Sequence, residues 1–379
     1  MMKENYLKRY AALLADYCLS VGKNEKILIR SSYLAEDLIN EFCSIAYSRG
    51  AHPEIKIALK NSERIYYDNS SIEDLMYLSD TEINYYKNYD AFLTIRAPFD
   101  AKELQGVPAE KKKVKNESTK ILHELFSERS SNGTLKWCVC QYPTESQAFE
   151  SGMSLDDYED FIVRSAYLDK EDPVRSWDEL SAKQGLIADY LNKCTEIRML
   201  NDTTDISFSC EGRIWINSDG RRNMPSGEIF TTPVESSVNG FLSFSYPAIY
   251  MGEEVEGVKL TVKNGKIISH SANKGEELLS QVLKIDGADT FGEAAIGTNY
   301  GIENFTKNIL FDEKIGGTVH FALGDSYAET GGKNRSAIHW DMISDMRSNS
   351  EILADGKLIY KNGHFTESFL RSVGVRGDL

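Results

Sequence analysis

Two textures divide this chain, and the change between them near residue 195 constrains its fold more than any other feature. In the first part, apolar stretches alternate between helical spacing and short strand-like runs. Residues 3–21 place Tyr6, Tyr10, Leu13, Leu14, Tyr17, Cys18 and Val21 on one helical face, with Gly22 as the C-terminal stop. The run KILIR follows, and then a second amphipathic stretch carries Leu34, Leu38, Phe42 and Ile45 and ends near Gly50. EIKIAL, AFLTIRA and KWCVCQY are three further compact strand candidates. Strands alternating with helices imply βαβ units and a mostly parallel sheet. From about residue 195, short runs such as DISFSC, RIWINS, EIFTTP, GFLSFSY, VKLTV and KIISHSA recur between turns rich in Gly, Asn and Asp. Asn264-Gly265 in KNGK suits a type I′ hairpin turn, and GEELLSQVLKIDG is the one clear helix candidate in this part. The expected fold is an α/β N-terminal domain over 1–194 and a β-rich α+β domain over 195–379. The helical stretch 176–194 leads from one to the other.

Composition excludes several functions. A formal charge of −15 leaves no basic face for nucleic acid or anionic membrane, and Lys111–Lys115, the only basic run, reads as a solvated loop or helix end. No apolar run approaches the ~20 residues that span a bilayer. The N-terminus lacks the apolar core and cleavage site of a signal peptide. Six scattered cysteines, of which only Cys138 and Cys140 are close, read as reduced core thiols, which places the expected protein in the cytoplasm. The chain has no GxGxxG or Walker pattern for a nucleotide, no GxSxG elbow and no Cys near a His.

The chemistry concentrates in EKIGGTVHFALGDSYAETGGKNRSAIHWD, residues 313–341, which holds Glu313, His320, Tyr327, His339 and Asp341. Two of the chain's six histidines fall here. His339 and Asp341 are two apart, so a strand would aim both to one face. An imidazole and a carboxylate aimed together are ligands for a first-row divalent metal. An isolated HxD is more often a hydrogen-bonded pair, and a lone Gly-Glu means little. Here, however, Glu228 in NMPSGEIFTTP and Glu293 in DTFGEAAIGTN add two carboxylates in similar settings. Two histidines and four carboxylates exceed what one catalytic ion uses and suit a pair of ions. Tyr327 is either a packing residue or a phenol donor. Lys333 and Arg335 read as solvated loop charges or as holders of a substrate carboxylate, and Asp325 and Glu329 stay open. His52, His123, His270 and His364 lack companions at ligand spacing.

The blocks GRIWINSDGRRNMPSGEIFTTPVESSVNG (212–240), GEAAIGTNYGI (292–302) and NILFDEKIGGTVHFALGDSYAETGGKNRSAIHWDMI (308–343) resemble the M29 family of metallo-aminopeptidases. The resemblance implies metal ligands at Glu228, Glu293, Glu313, His320, His339 and Asp341, with Glu293 bridging and Tyr327 as the active-site tyrosine. The spacing from Glu313 to His320 is wider than in the family's thermophilic branch, which leaves Asp312 as an alternative to Glu313. Two ions of Zn²⁺, Co²⁺ or Mn²⁺ type would activate a water, polarise the scissile carbonyl and hold the free α-amine of a peptide. Glu228 is the expected proton shuttle. The family also implies a homodimer whose site faces an enclosed cavity. A different class stays open: His320, His339 and Asp341 alone would suit the Fe²⁺ of a ring-cleaving dioxygenase, which has no need of Glu228 and Glu293.

Overall fold

The computed structural model describes residues 2–377 and residue 379. The chain forms two compact units, one running to Val174 and including Gly220–Met224, the other formed by Arg175–Asp219 and Pro225–Leu379.

In the first unit the four apolar runs become parallel strands. They are ordered His52–Ala58, Lys26–Ser32, Ala91–Arg96 and Lys136–Gln141, and the short piece Asn223–Met224 adds a fifth beside Val139 and Cys140. Helices such as Glu36–Ser48 join the strands, as a parallel sheet requires. Cys138 and Cys140 are buried in their strand, and all six cysteines are free, buried thiols. Two expectations need correction here. The first helix is regular only over Glu4–Leu13 and then widens to a π-helical turn, Leu14–Cys18. The chain leaves the helical path at Ser20, whose φ is 44°, so Ser20 rather than Gly22 supplies the break. The basic run lies inside the helix Ala109–Ser118, and Lys111 donates to the Tyr67 and Ser70 carbonyls rather than only to solvent.

The second unit is antiparallel. Its eight-stranded sheet runs Lys266–Ser271, Lys259–Lys263, Asn239–Ser243, Thr204–Ser209, Glu196–Asn201, Glu351–Ala354, Lys357–Lys361 and His364–Phe365. A five-stranded sheet runs His339–Asp345, Thr318–Gly324, Phe291–Gly297, Glu228–Thr231 and Ile216–Ser218. One continuous core joins them. Ile197, Ile206, Phe208, Leu242 and Ile352 come from the larger sheet, and Ile229, Ile296, Val319, Phe321 and Met342 from the smaller. Phe208 and Phe321 meet edge to face at 6.0 Å. Each such fully buried side chain contributes about 1.5–3 kcal/mol over leaving it in water. The Asn264-Gly265 hairpin forms as expected, with φ of 50° and 77° and Lys263 paired to Lys266.

The units divide near residue 174, not at 194. The helix Pro173–Leu191 sends Ile187, Ala188 and Leu191 into the second core, and Gln184 donates to Asn217 and to the Glu228 carbonyl. Its helical period alone could not show which core its apolar stripe enters. Among the described residues, no helix is long and apolar enough to cross a membrane.

Candidate metal centre

Strand register delivers five of the six candidate ligands to one face of the five-stranded sheet. Partners directly opposite in neighbouring strands share a face, as do residues two apart along one strand. Glu293 and Asp341 both pair with Ala322, His320 with Ala295, His339 with Gly324 and Glu228 with Gly297. Each candidate ligand on the sheet therefore has an alanine or glycine opposite it on one side, while His320 also faces Ile343 and Glu228 also faces Ser218. The other face is the apolar core described above, carrying Ala294, Ile296, Val319, Phe321, Leu323, Trp340 and Met342.

This face depends on a β-bulge. The register shifts between Phe291 and Glu293. Phe291 turns into the core against Phe321, with ring centroids 5.1 Å apart, while Glu293 turns to the site. A regular strand would have put both on one face, and a bulge reverses that alternation. Gly292 sits in the bulge with no space for a side chain, since a Cβ there would lie 2.1 Å from the Asp325 carbonyl oxygen. That same oxygen accepts a hydrogen bond from His339 Nδ1 at 2.8 Å. Gly292→Ala should therefore displace His339 as well as strain the bulge. We expect lost stability of about 1–3 kcal/mol, the usual cost of overpacking, together with weakened metal binding. Thermal unfolding with and without added Mn²⁺ measures both.

Glu293 occupies the middle of the cluster. Its Oε1 lies 3.4 Å from His320 Nε2 and its Oε2 lies 3.0 Å from His339 Nε2. His320 Nε2 is also 3.5 Å from Glu228 Oε2, and His339 Nε2 is 3.5 Å from Asp341 Oδ1. The donation from His339 Nδ1 to Asp325 leaves Nε2 as the nitrogen that can take a metal. Among the described residues, three sets of ligand atoms lie within 4.8 Å of one another: Glu228, Glu293 and His320; Glu293, His339 and Asp341; and Glu313, His320 and Asp341. Glu313 follows the helical turn Ile309–Asp312. The alternative, Asp312, is turned away: its carboxylate accepts from the Thr306 amide at 2.7 Å and hydroxyl at 2.8 Å, closing a local loop. Tyr327 leaves the turn-rich loop with its ring against Phe230 at 5.4 Å and His339 at 4.9 Å.

Four carboxylates face two histidines and the fully buried Lys314. Burial alone would push His320 down, but the hydrogen bond and charge of Glu293, with Glu228, hold it up at about 9. His339 is likewise raised against burial by Asp341 and Glu293, and Asp341 is held down against burial by His339. The surplus of negative charge appears elsewhere. Burial, joined by Glu228 and Asp341, outweighs Lys314 and pushes Glu313 up to about 8, and burial also raises Glu228. The oxygens Glu228 Oε2 and Asp341 Oδ1 are buried without a hydrogen-bond partner. An unsatisfied buried acceptor costs about 1–3 kcal/mol or more. Excess carboxylate charge and orphaned oxygens beside imidazole nitrogens fit divalent cations.

A pH dependence follows. A metal must displace the protons held by His320 and by His339, which is raised further still, so metal affinity should rise with pH through about 9 and beyond. Titration calorimetry in buffers of different ionisation enthalpy should show protons released on binding.

The remaining candidates separate cleanly. Arg335 donates to the Ser326 and Asn334 carbonyls and so braces the loop, and Lys333 is tied through its backbone amide to Glu235. His270 bonds Ser280 and His364 stacks on Tyr300. Lys314, Gln184 and the alanine and glycine lane went unnoticed in the sequence. Lys314 reads there as one charge of an ordinary DEK triplet, and only three-dimensional burial marks it.

A family profile described as thermophilic metalloprotease (M29) matches residues 3–365. The chain is 26% identical to "Aminopeptidase 2" of Geobacillus stearothermophilus, across 96% of this chain and 98% of that protein. It is 26% identical to "Aminopeptidase PepS" of Streptococcus thermophilus, across 95% and 98%. Among solved structures, wild-type AmpT from Thermus thermophilus shares the fold with a TM-score of 0.83 at 21% identity, covering 95% of this chain and 99% of that one.

Proposed function

The chain belongs to the M29 family of thermophilic metalloproteases, and from that premise we propose that it is an aminopeptidase with a dinuclear metal centre on the five-stranded sheet. The observation that carries this reading is Glu293, one carboxylate whose two oxygens face two different histidines, the arrangement of a bridging ligand. Glu228 and His320 hold one side of the centre, His339 and Asp341 the other, and Glu313 adds a carboxylate near His320 and Asp341. When bound, two ions of Zn²⁺, Co²⁺ or Mn²⁺ type supply an acidified water as nucleophile, polarise the scissile carbonyl and hold the free α-amine. In this reading Glu228, with Oε1 beside Lys314 and the unpartnered Oε2 beside His320, serves as a ligand rather than as the expected proton shuttle. Tyr327 is 42% exposed, and its phenol, raised by partial desolvation and by the surrounding Glu293, Asp341, Glu313 and Glu228, stays a neutral O–H donor for the oxyanion. The substrates are peptides with a free N-terminus. A homodimer and a cytoplasmic location complete the proposal; the buried free thiols support a reducing compartment, and light scattering tests the dimer.

The dioxygenase alternative has no support. The matched family is one of metalloproteases, and three glutamates crowd the two-histidine, one-carboxylate set.

The test is a peptide and its N-acetylated twin, offered to chelator-treated protein before and after Co²⁺, Mn²⁺ or Zn²⁺ is restored. Release of the first residue from the free peptide alone, and only with metal, is expected. Cleavage of the blocked twin, or oxygen consumption, would contradict the proposal. Tyr327→Phe should lower kcat by ~10²–10³ with KM and metal content little changed, the usual cost of one oxyanion donor. A structural tyrosine would instead lower Tm and leave kcat in place.

A further inference from the structure

Lys314 is fully buried inside the carboxylate cluster, where an ammonium is costly unless paired. Its Nζ lies 3.6 Å from Glu228 Oε1 and pairs closely with Glu313 Oε1. The other oxygen of Glu228 is the one that faces His320 at 3.5 Å and lacks a hydrogen-bond partner. The lysine thus takes one oxygen of a ligand carboxylate and leaves its twin for the site.

The backbone around it is clamped in a way that serves both carboxylates. The Lys314 amide donates to Phe311 at 2.9 Å, and the Lys314 carbonyl accepts from the Asn299 amide at 3.0 Å. The buried Asn299 side chain donates to the Ser226 carbonyl at 2.8 Å, two residues before Glu228. The neighbouring Thr298 amide donates to Gly227 at 2.8 Å. A Cβ on Gly227 would meet Asn299 Cβ at 2.7 Å, so the two segments touch with nothing between them. Asn299 therefore fixes the start of the Glu228 strand to the Glu313–Lys314 segment, and the ammonium closes the same joint from the side-chain end.

We propose that Lys314 is a positioning residue of the metal centre, its fixed charge pinning one oxygen each of Glu228 and Glu313 and turning the free oxygen of each toward the ions. The proposal rests on the metal-centre reading above. It makes both glutamates one-oxygen ligands, so that only Glu293 spans the centre. It also assigns the lysine no contact with substrate.

The test compares wild type with Lys314→Met, which keeps length and packing without charge, and Lys314→Ala, which opens a space for a small cation. Stripped proteins are titrated with Mn²⁺ by calorimetry, and the reloaded enzymes are assayed on an aminoacyl-anilide. Lys314→Met should lose at least tenfold in Mn²⁺ affinity and a larger factor in kcat, with KM little changed. In Lys314→Ala, ethylammonium should restore both saturably, whereas ethanol should not. Met substitution that leaves affinity and kcat within twofold of wild type would overturn the proposal. So would equal rescue by ethanol, or a gain in bound metal, which would mean the ammonium merely occupies an ion's place. If Lys314→Met fails to fold, the Lys314→Ala rescue still decides. Absence of Mn²⁺ binding by wild type would instead sink the metal centre itself.

Discussion

Glu293→Ala should lose both ions at once and bring peptidase activity to background. Among the described residues, Glu293 is the only carboxylate placed with one oxygen toward His320 and the other toward His339, so its removal opens both halves of the centre. The loss in kcat should exceed the ~10²–10³-fold cost of deleting a single oxyanion donor. Glu293→Gln keeps the shape but replaces one charged oxygen by an amide nitrogen, which cannot share two cations. It should fail nearly as badly while folding normally. Metal content after dialysis against Mn²⁺, read beside circular dichroism, separates lost binding from lost structure. A Gln variant that holds two ions would show that Glu293 does not bridge.

His339→Ala and Asp341→Ala should also abolish turnover, but with a different signature. Both residues stand on the His320–Glu293–Glu228 face at its outer strand, and neither belongs to the apolar core. Their loss should remove the ion on their own side and leave the set of Glu228, Glu293 and His320 intact. Bound metal should fall from two ions per chain to one, and Tm of the metal-free protein should change little. Near-wild-type turnover at saturating metal in either variant would remove the HxD pair from the centre. Loss of both ions would mean the two halves bind only together.

How much of this was legible in the sequence depends on how local each feature is. The spacing of His339 and Asp341 alone puts both on one strand face, and the strand His339–Asp345 bears that out. The Asn264-Gly265 turn and the parallel sheet were likewise readable, because backbone chemistry and periodicity fix them nearby in the chain. Other features depend on partners distant in sequence. The bulge that aims Glu293 into the site exists only through its pairing with the His320 strand, and period-two reading would have turned Glu293 the wrong way. Ala295, Gly297, Ala322 and Gly324 look like ordinary small residues until register sets them opposite the ligands. Asp312 and Glu313 are adjacent and chemically alike. Only the Thr306 loop shows which of them is occupied elsewhere. The boundary near residue 174 was hidden for the same reason, since the helix Pro173–Leu191 is amphipathic toward a core built from strands that follow it.

The most direct test of the dinuclear centre is anomalous scattering from crystals of the Mn²⁺- or Zn²⁺-loaded protein, collected at the metal edge. The account predicts two neighbouring peaks per chain, roughly 3.5–4 Å apart, with Glu293 between them, Glu228 and His320 on one and His339 and Asp341 on the other. A single peak at His320, His339 and Asp341, with Glu228 and Glu293 left uncoordinated in a fully active protein, would contradict it.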